Sequence, residues 1–169
     1  MIKKKNLQKE LENYLINNRE AHYRLAYSYL KNKEDALDVL QESTYKAFRT
    51  LEKQNSNLKI KSWFYKILIN TSIDFIRKHK KITLVDDIDF QENQKDYYKD
   101  LDLEKALDNL DEHLKSIIIL RYFEDFKLEE IGKILDVNTN TVKTRLYKAL
   151  KLLRVDLEEN KEDLNHEKN

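Results

Sequence analysis

The chain contains no proline and a single glycine, Gly132. Two-residue hairpin turns need residues that accept a positive φ, and Asn-Gly and Asp-Gly pairs supply it most often. No such pair occurs in the 169 residues. A chain rich in strands carries that punctuation between them. The sequence therefore predicts an all-α fold.

The same scarcity removes whole classes of chemistry. One glycine cannot build a Walker A loop or a GxGxxG fingerprint, where glycines let the backbone approach phosphate. Nor can it build the GxSxG elbow of a serine hydrolase. With no cysteine there is no disulfide, thiol nucleophile or thiolate-held zinc. The histidines (His22, His79, His113, His166) include no pair at i, i+4 ligand spacing. The expectation is a protein that is not an enzyme, with no cofactor, no metal and no small-molecule substrate. Lys3, Lys4 and Lys5 are followed by Leu7, Leu11, Tyr14 and Leu15 at helical spacing, not by an apolar signal core. There is no apolar run of about 18 residues. A cytoplasmic location is expected.

A net charge of +1 conceals a division. Residues 1–80 carry 17 Lys and Arg against 9 Asp and Glu. Residues 81–101 carry 3 against 6, residues 102–156 carry 10 against 11, and residues 157–169 carry 2 against 5. A basic first half is thus cancelled by acidic segments after it. The polar stretch Asp86 to Asp96 has little helical periodicity and separates two helical blocks. The expected organisation is a first helical domain over 1–81, a flexible acidic linker over 82–101, a second helical domain over 102–156, and a polar, fraying tail over 157–169.

In the first block, Tyr23, Ala26, Tyr27 and Leu30 form one amphipathic stripe. A second helix carries Leu37, Leu40, Thr44, Phe48 and Leu51 on one face. A third runs through Ile60, Phe64, Ile67, Leu68 and Thr71 toward Phe75 and Ile76. These stripes predict a small three-helix core. On the second helix Asp38, Gln41, Glu42 and Tyr45 share a different face. Their spacing fits a solvated surface as well as an acidic docking surface. Along the third helix Lys59, Lys61, Lys66, Arg77, Lys78, Lys80 and Lys81 accompany Trp63, Phe64, Tyr65 and Phe75. Cations that track a backbone and rings that stack on bases suit single-stranded nucleic acid. Phe64 and Phe75 are assigned to the core, and Trp63 fits either role.

In the second block, Leu103, Ala106, Leu107, Leu110, Leu114, Ile117 and Ile118 predict one apolar helical face. Residues 128–135 form a short helix, Asp136-Val137-Asn138 interrupts it, and a further helix starts at Thr139, capped by Asn138. Val142, Leu146, Ala149, Leu150 and Leu153 point inward. Asn140, Thr144, Tyr147, Lys148 and Lys151 point outward, flanked by Lys143 and Arg145. This is the pattern of a helix-turn-helix whose second helix enters a major groove. Outward polar groups could reach base edges while cations contact phosphates.

Three ordered strings resemble one family. Asp35-Ala36-Leu37-Asp38-Val39-Leu40-Gln41-Glu42-Ser43-Thr44-Tyr45-Lys46-Ala47-Phe48 is similar to the DAxDxxQExFxxAF signature of bacterial RNA polymerase sigma factors. Trp63 to Asn70, followed by Asp74-Phe75-Ile76-Arg77-Lys78, resembles their WLxxIxxN…DxxRK segment. Glu129 to Leu135, followed by Thr141-Val142-Lys143-Thr144-Arg145-Leu146, resembles their EIAxxL…GTVKSRL segment. The short chain resembles the extracytoplasmic-function group, with a region 2 domain over 1–81 and a region 4 helix-turn-helix domain over 102–156. The chain departs from the family at Leu110-Asp111 in place of Leu-Pro, at Gly132 in place of alanine and at Asn140 in place of glycine.

The resemblance implies an alternative sigma factor, acting with core polymerase in promoter recognition, melting and initiation, in a stress or envelope response. It implies docking of Asp38, Gln41, Glu42 and Tyr45 on core polymerase, whose β′ and β subunits are the expected partners. Lys59, Lys61, Trp63, Lys66, Asn70, Arg77 and Lys78 would melt and hold the −10 element, with Asn70 capturing a flipped base. Asn140, Thr141, Lys143, Thr144, Arg145, Tyr147 and Lys148 would read the −35 element. Promoter DNA and an inhibitory anti-sigma factor, often membrane-anchored, are the other implied partners. Two other readings fit the residues alone: a stand-alone helix-turn-helix regulator, and a helical adaptor without a DNA role.

Overall fold

The computed structural model describes residues 2–55, 57–83 and 101–166, and every element among them is helical. The backbone divides into two compact units, Met1–Asn93 and Gln94–Asn169. The acidic stretch Asp86 to Asp96, read above as part of a linker, lies outside the described residues, as do the side chains of Lys80 and Lys81.

The first unit comprises α1 (Ile2–Asn17), α2 (Arg19–Leu30), α3 (Lys33–Leu51) and α4 (Ile60–Thr83). Its core is aromatic. Phe64, Tyr65, Leu68 and Ile69 of α4 are buried, as are Leu25 and Ala26 of α2 and Val39 and Ala47 of α3, and α4 packs on both α2 and α3. Burying a Phe- or Leu-sized side chain contributes about 1.5–3 kcal/mol. α1 adds Leu11, fully buried, and Tyr14, whose ring meets Phe64 edge-on at 6.3 Å.

His22 of α2 sits inside this cluster and is 1% exposed. Its ring lies 4.6 Å from Phe64 and 5.4 Å from Tyr65, and its Nε2 shares a 3.0 Å hydrogen bond with the Tyr14 hydroxyl. Nδ1 has no partner. Burial among rings disfavours the imidazolium and lowers the His22 pKa to about 4.

The α3 register differs from the expected stripe. The buried residues are Ala36, Val39, Ser43, Ala47 and Leu51. Leu37 is 39% exposed, while Leu40, Thr44 and Phe48 are half-buried. Small side chains let α3 approach α2 and α4 closely, and the Ser43 hydroxyl donates to the Val39 carbonyl at 2.7 Å, so burial leaves it satisfied. Leu37, Leu40 and Thr44 line an open apolar groove with Leu15, Ile16, Arg19, His22 and Gln41. Tyr65, grouped above with possible stacking rings, is 1% exposed and belongs to the core. Phe75 is half-buried and stacks on His79 at 3.9 Å.

The second unit comprises α5 (Leu101–Asp108), α6 (Glu112–Ile118) with a π-helical turn at Ile119–Phe123, α7 (Leu128–Leu135) and α8 (Thr139–His166). The apolar face expected to be continuous from Leu103 to Ile118 is broken into α5 and α6. Asp111 makes the break, because its carboxylate accepts the His113 and Leu114 N–H groups at 3.0 and 2.9 Å and starts a new helix. Ala106, Leu107, Leu110, Leu114 and Ile118 pack with Ala149 and Leu153 of α8. Leu150, expected inward, is 37% exposed. α8 also continues through most of the segment expected to fray. That segment lacks helix breakers, and Arg154 pairs with Glu158 at 3.0 Å one turn later.

The His22 shift gives stability a pH dependence. The folded state holds His22 neutral down to about pH 4, whereas an unfolded histidine takes up its proton near pH 6.5. Stability is therefore full above that value and falls as pH drops from about 6.5 toward 4. At pH 5 the loss is about 2 kcal/mol. Chemical denaturation of the first unit at pH 7 and pH 5 measures it, and His22→Gln should flatten the difference.

Candidate nucleic-acid interface

The outward side of α4 follows from its inward one. Ile60, Phe64, Leu68, Thr71 and Ser72 are buried. At 100° per residue, Lys59, Trp63, Lys66, Asn70, Ile73 and Arg77 then share the opposite side, within about 40° of one direction. Lys59, Asn70 and Arg77 are exposed, and Trp63, Lys66 and Ile73 are half-buried. One face thus presents a cation, an indole, a cation, an amide and a guanidinium in that order. Its chemistry matches a strand of unpaired nucleotides, with positive charge for the backbone, a ring for stacking and an amide for a base edge. Lys61 and Lys78 are exposed but lie off this stripe, Lys61 near the opposite direction and Lys78 on an edge shared with Thr71 and Asp74.

On α3, Asp38, Gln41, Glu42 and Tyr45 are all exposed on one side, with Tyr45 at 64%. The helix starts on Asn32, whose side chain accepts the Asp35 N–H at 3.0 Å. Partial burial pushes the Asp35 carboxyl above its usual value; His79 opposes the shift, while Asp38 and Glu34 reinforce it. Glu42 is paired within the helix: its Oε1 lies 3.0 Å from the Lys46 ammonium. Lys46 in turn donates to the Thr71 hydroxyl of α4 at 3.3 Å. The sequence reading missed this bridge, because residues 25 apart give no periodic signal.

In the second unit α7 and α8 form a helix-turn-helix. Asn138 caps α8 as expected: its Oδ1 accepts the Thr141 N–H at 2.8 Å and the Thr141 hydroxyl at 3.0 Å. Thr141 is therefore held in the cap and is half-buried, apart from the outward face. Arg145 is likewise half-buried at its edge. The outward face brings together Asn140, Lys143, Thr144, Tyr147, Lys148 and Lys151, all exposed, with Tyr147 at 75%. Val142, fully buried on the other side, fixes this rotation. Among the described residues no group of three or more His, Cys, Asp or Glu could hold a metal ion, and no helix is long and apolar enough to cross a membrane.

The family described as Sigma-70 region 2 matches residues 16–82, and the family described as Sigma-70, region 4 matches residues 100–153. The RNA polymerase sigma factor SigV of Bacillus subtilis is 53% identical over 97% of this chain and 99% of its own length. The chain belongs to the extracytoplasmic-function group of sigma-70 factors. It is an alternative sigma factor, a transcription initiation protein that directs polymerase to promoters. The group's SigW factor of B. subtilis is 29% identical over 80% of this chain and 82% of its own. In fold, this sigma factor is similar to the sigma factor RpoE of Bartonella quintana, solved with the anti-sigma factor NepR. There the TM-score is 0.77 at 24% identity, over 89% of this chain and 98% of that one. It is also similar to CnrH, solved with the cytosolic domain of CnrY, with a TM-score of 0.70 at 17% identity over 93% of each chain.

The three departures of this sigma factor from the family strings have local reasons. Asp111 has φ −64°, a value proline also takes, and it adds a side-chain cap that proline lacks. Asn140 is helical, so no glycine is needed there. Gly132 is the reverse case. A Cβ on it would stand 2.7 Å from the Val137 carbonyl, so the turn closes more tightly than an alanine permits.

Asn138→Ala removes the cap of α8 while leaving the outward face untouched. Thermal unfolding should show a loss of about 1 kcal/mol in the second unit.

Proposed function

We propose that the α4 stripe holds the melted strand of the −10 element, with Trp63 stacking, Lys59, Lys66 and Arg77 on phosphates, and Asn70 reading a base turned out of the stack. Lys61 and Lys78 contribute charge at its margins. The observation that carries this reading is that one outward face of α4 joins an indole, an amide and three cations. Asp38, Gln41, Glu42 and Tyr45 form the docking face for core polymerase, whose β′ and β subunits are the partners. Asn140, Lys143, Thr144, Tyr147 and Lys148 read the −35 duplex, with Arg145 on a flanking phosphate and Thr141 shaping the helix start. Residues 1–81 and 102–156 thus serve as separate promoter-reading domains joined through 82–101, with 157–169 as a polar tail. The two compact units of the backbone support that division.

The protein works in the cytoplasm, with no catalytic centre of its own and no cofactor. An anti-sigma factor, held at the membrane or free, is a further partner. The structurally similar RpoE of Bartonella quintana was solved with an anti-sigma factor, which supports the proposal. A stress or envelope response fits the group.

Reconstitution tests the function. Core polymerase with this protein should yield one defined transcript from a cognate promoter. Failure to co-elute with core, or tight binding of the free protein to a palindromic duplex without polymerase, would contradict it. Lys143→Ala with Arg145→Ala should lower promoter affinity about tenfold or more at moderate salt and flatten its salt dependence, because each phosphate contact releases counterions. Asn70→Ala should leave core binding and closed-complex affinity unchanged while slowing promoter opening by about tenfold, a loss expected for one base-specific contact.

A further inference from the structure

Lys46 bridges the face proposed for polymerase docking and the helix proposed for strand capture. Its ammonium lies 3.0 Å from Glu42 Oε1 and donates to Thr71 Oγ1 at 3.3 Å. Thr71 is 4% exposed, and the residue before it is Asn70. The Lys46 side chain is 40% exposed, so it is anchored at its tip rather than enclosed. Thr71, Asp74 and Lys78 follow one another at i, i+3, i+7 along this edge of α4, beside the stripe that carries Asn70.

A cation in this position is committed to one carboxylate while the protein is alone. A basic partner surface that takes the Glu42 carboxylate competes with Lys46 for it. The ammonium then keeps its neutral hydroxyl contact with Thr71 and has lost its Glu42 partner, beside the helix that carries the strand-facing stripe. We propose that Lys46 is a shared cation that couples polymerase docking to strand capture: it is paired with Glu42 in the free protein and is released to a phosphate of the melted strand once Glu42 is engaged. The inference rests on the docking and strand-holding roles proposed above. It adds a group that those roles leave out, and a physical reason for core binding to strengthen DNA binding. Reciprocity follows, because any coupling free energy acts equally in both directions.

The test uses the full chain with a single-stranded oligonucleotide carrying the non-template −10 sequence. In the free protein, Glu42→Gln releases Lys46 without polymerase and should raise oligonucleotide affinity about two- to fivefold. Adding Lys46→Gln should cancel that gain. In the holoenzyme, Lys46→Gln should reduce the slope of log affinity against log salt by about 0.7, the value for one phosphate contact on a single strand. An unchanged slope overturns the proposal, as does a gain with Glu42→Gln that persists in the double variant. Wild-type holoenzyme with Asn70→Ala as control separates the two levels. If Asn70→Ala has no effect on the oligonucleotide, the strand-holding role of α4 fails. If it weakens binding and Lys46→Gln does not, only the coupling fails.

Discussion

Helix α4 can bury one side only, and the first unit is organised around that limit. Phe64, Tyr65, Leu68 and Ile69 fill a core closed by α1, α2 and α3. A helix turns by a fixed angle per residue, so committing those positions inward commits Lys59, Trp63, Lys66, Asn70 and Arg77 outward. The proposed strand-binding face is thus the remainder of a packing solution. Val142 imposes the same logic on α8: its full burial leaves Asn140, Lys143, Thr144, Tyr147 and Lys148 facing out.

Lack of glycine shapes how the helices end. Helices often stop on a residue with positive φ, and glycine takes that conformation at least cost. Here Lys31 and Asp136 do so after α2 and α7, and Asp125 adopts the same conformation after the π-helical turn, with φ between 54° and 57°. Helix starts rely on short polar side chains instead, with Asn32, Asp111 and Asn138 each accepting backbone N–H groups. The one glycine is used for space: Gly132 admits the Val137 carbonyl where a side chain would collide.

The helical class, the two blocks and the helix-turn-helix were legible because they rest on local signals: absent breakers, periodic stripes and a capping residue. The α3 register was not, since the stripe of large residues outscored Ala36, Val39, Ser43 and Ala47, which close packing selects. His22 was also invisible, because burial inside an aromatic cluster depends on residues from α1 and α4. Of the surface residues singled out, most are exposed where spacing put them. Thr141 is drawn into the cap by Asn138, Lys61 falls off the stripe by register, and the Lys46 bridge needed the packing of α3 on α4.

The central claim is that one face of α4 meets unpaired DNA while one face of α8 meets duplex. Photo-crosslinking from positions 70 and 147 of the full chain, in the holoenzyme on a promoter, tests it most directly. Position 70 should crosslink to the non-template strand of the −10 element and only after the duplex has opened. Position 147 should crosslink to the −35 duplex before and after opening. Crosslinks from position 70 to closed duplex, or none from it to the opened strand, would contradict the account.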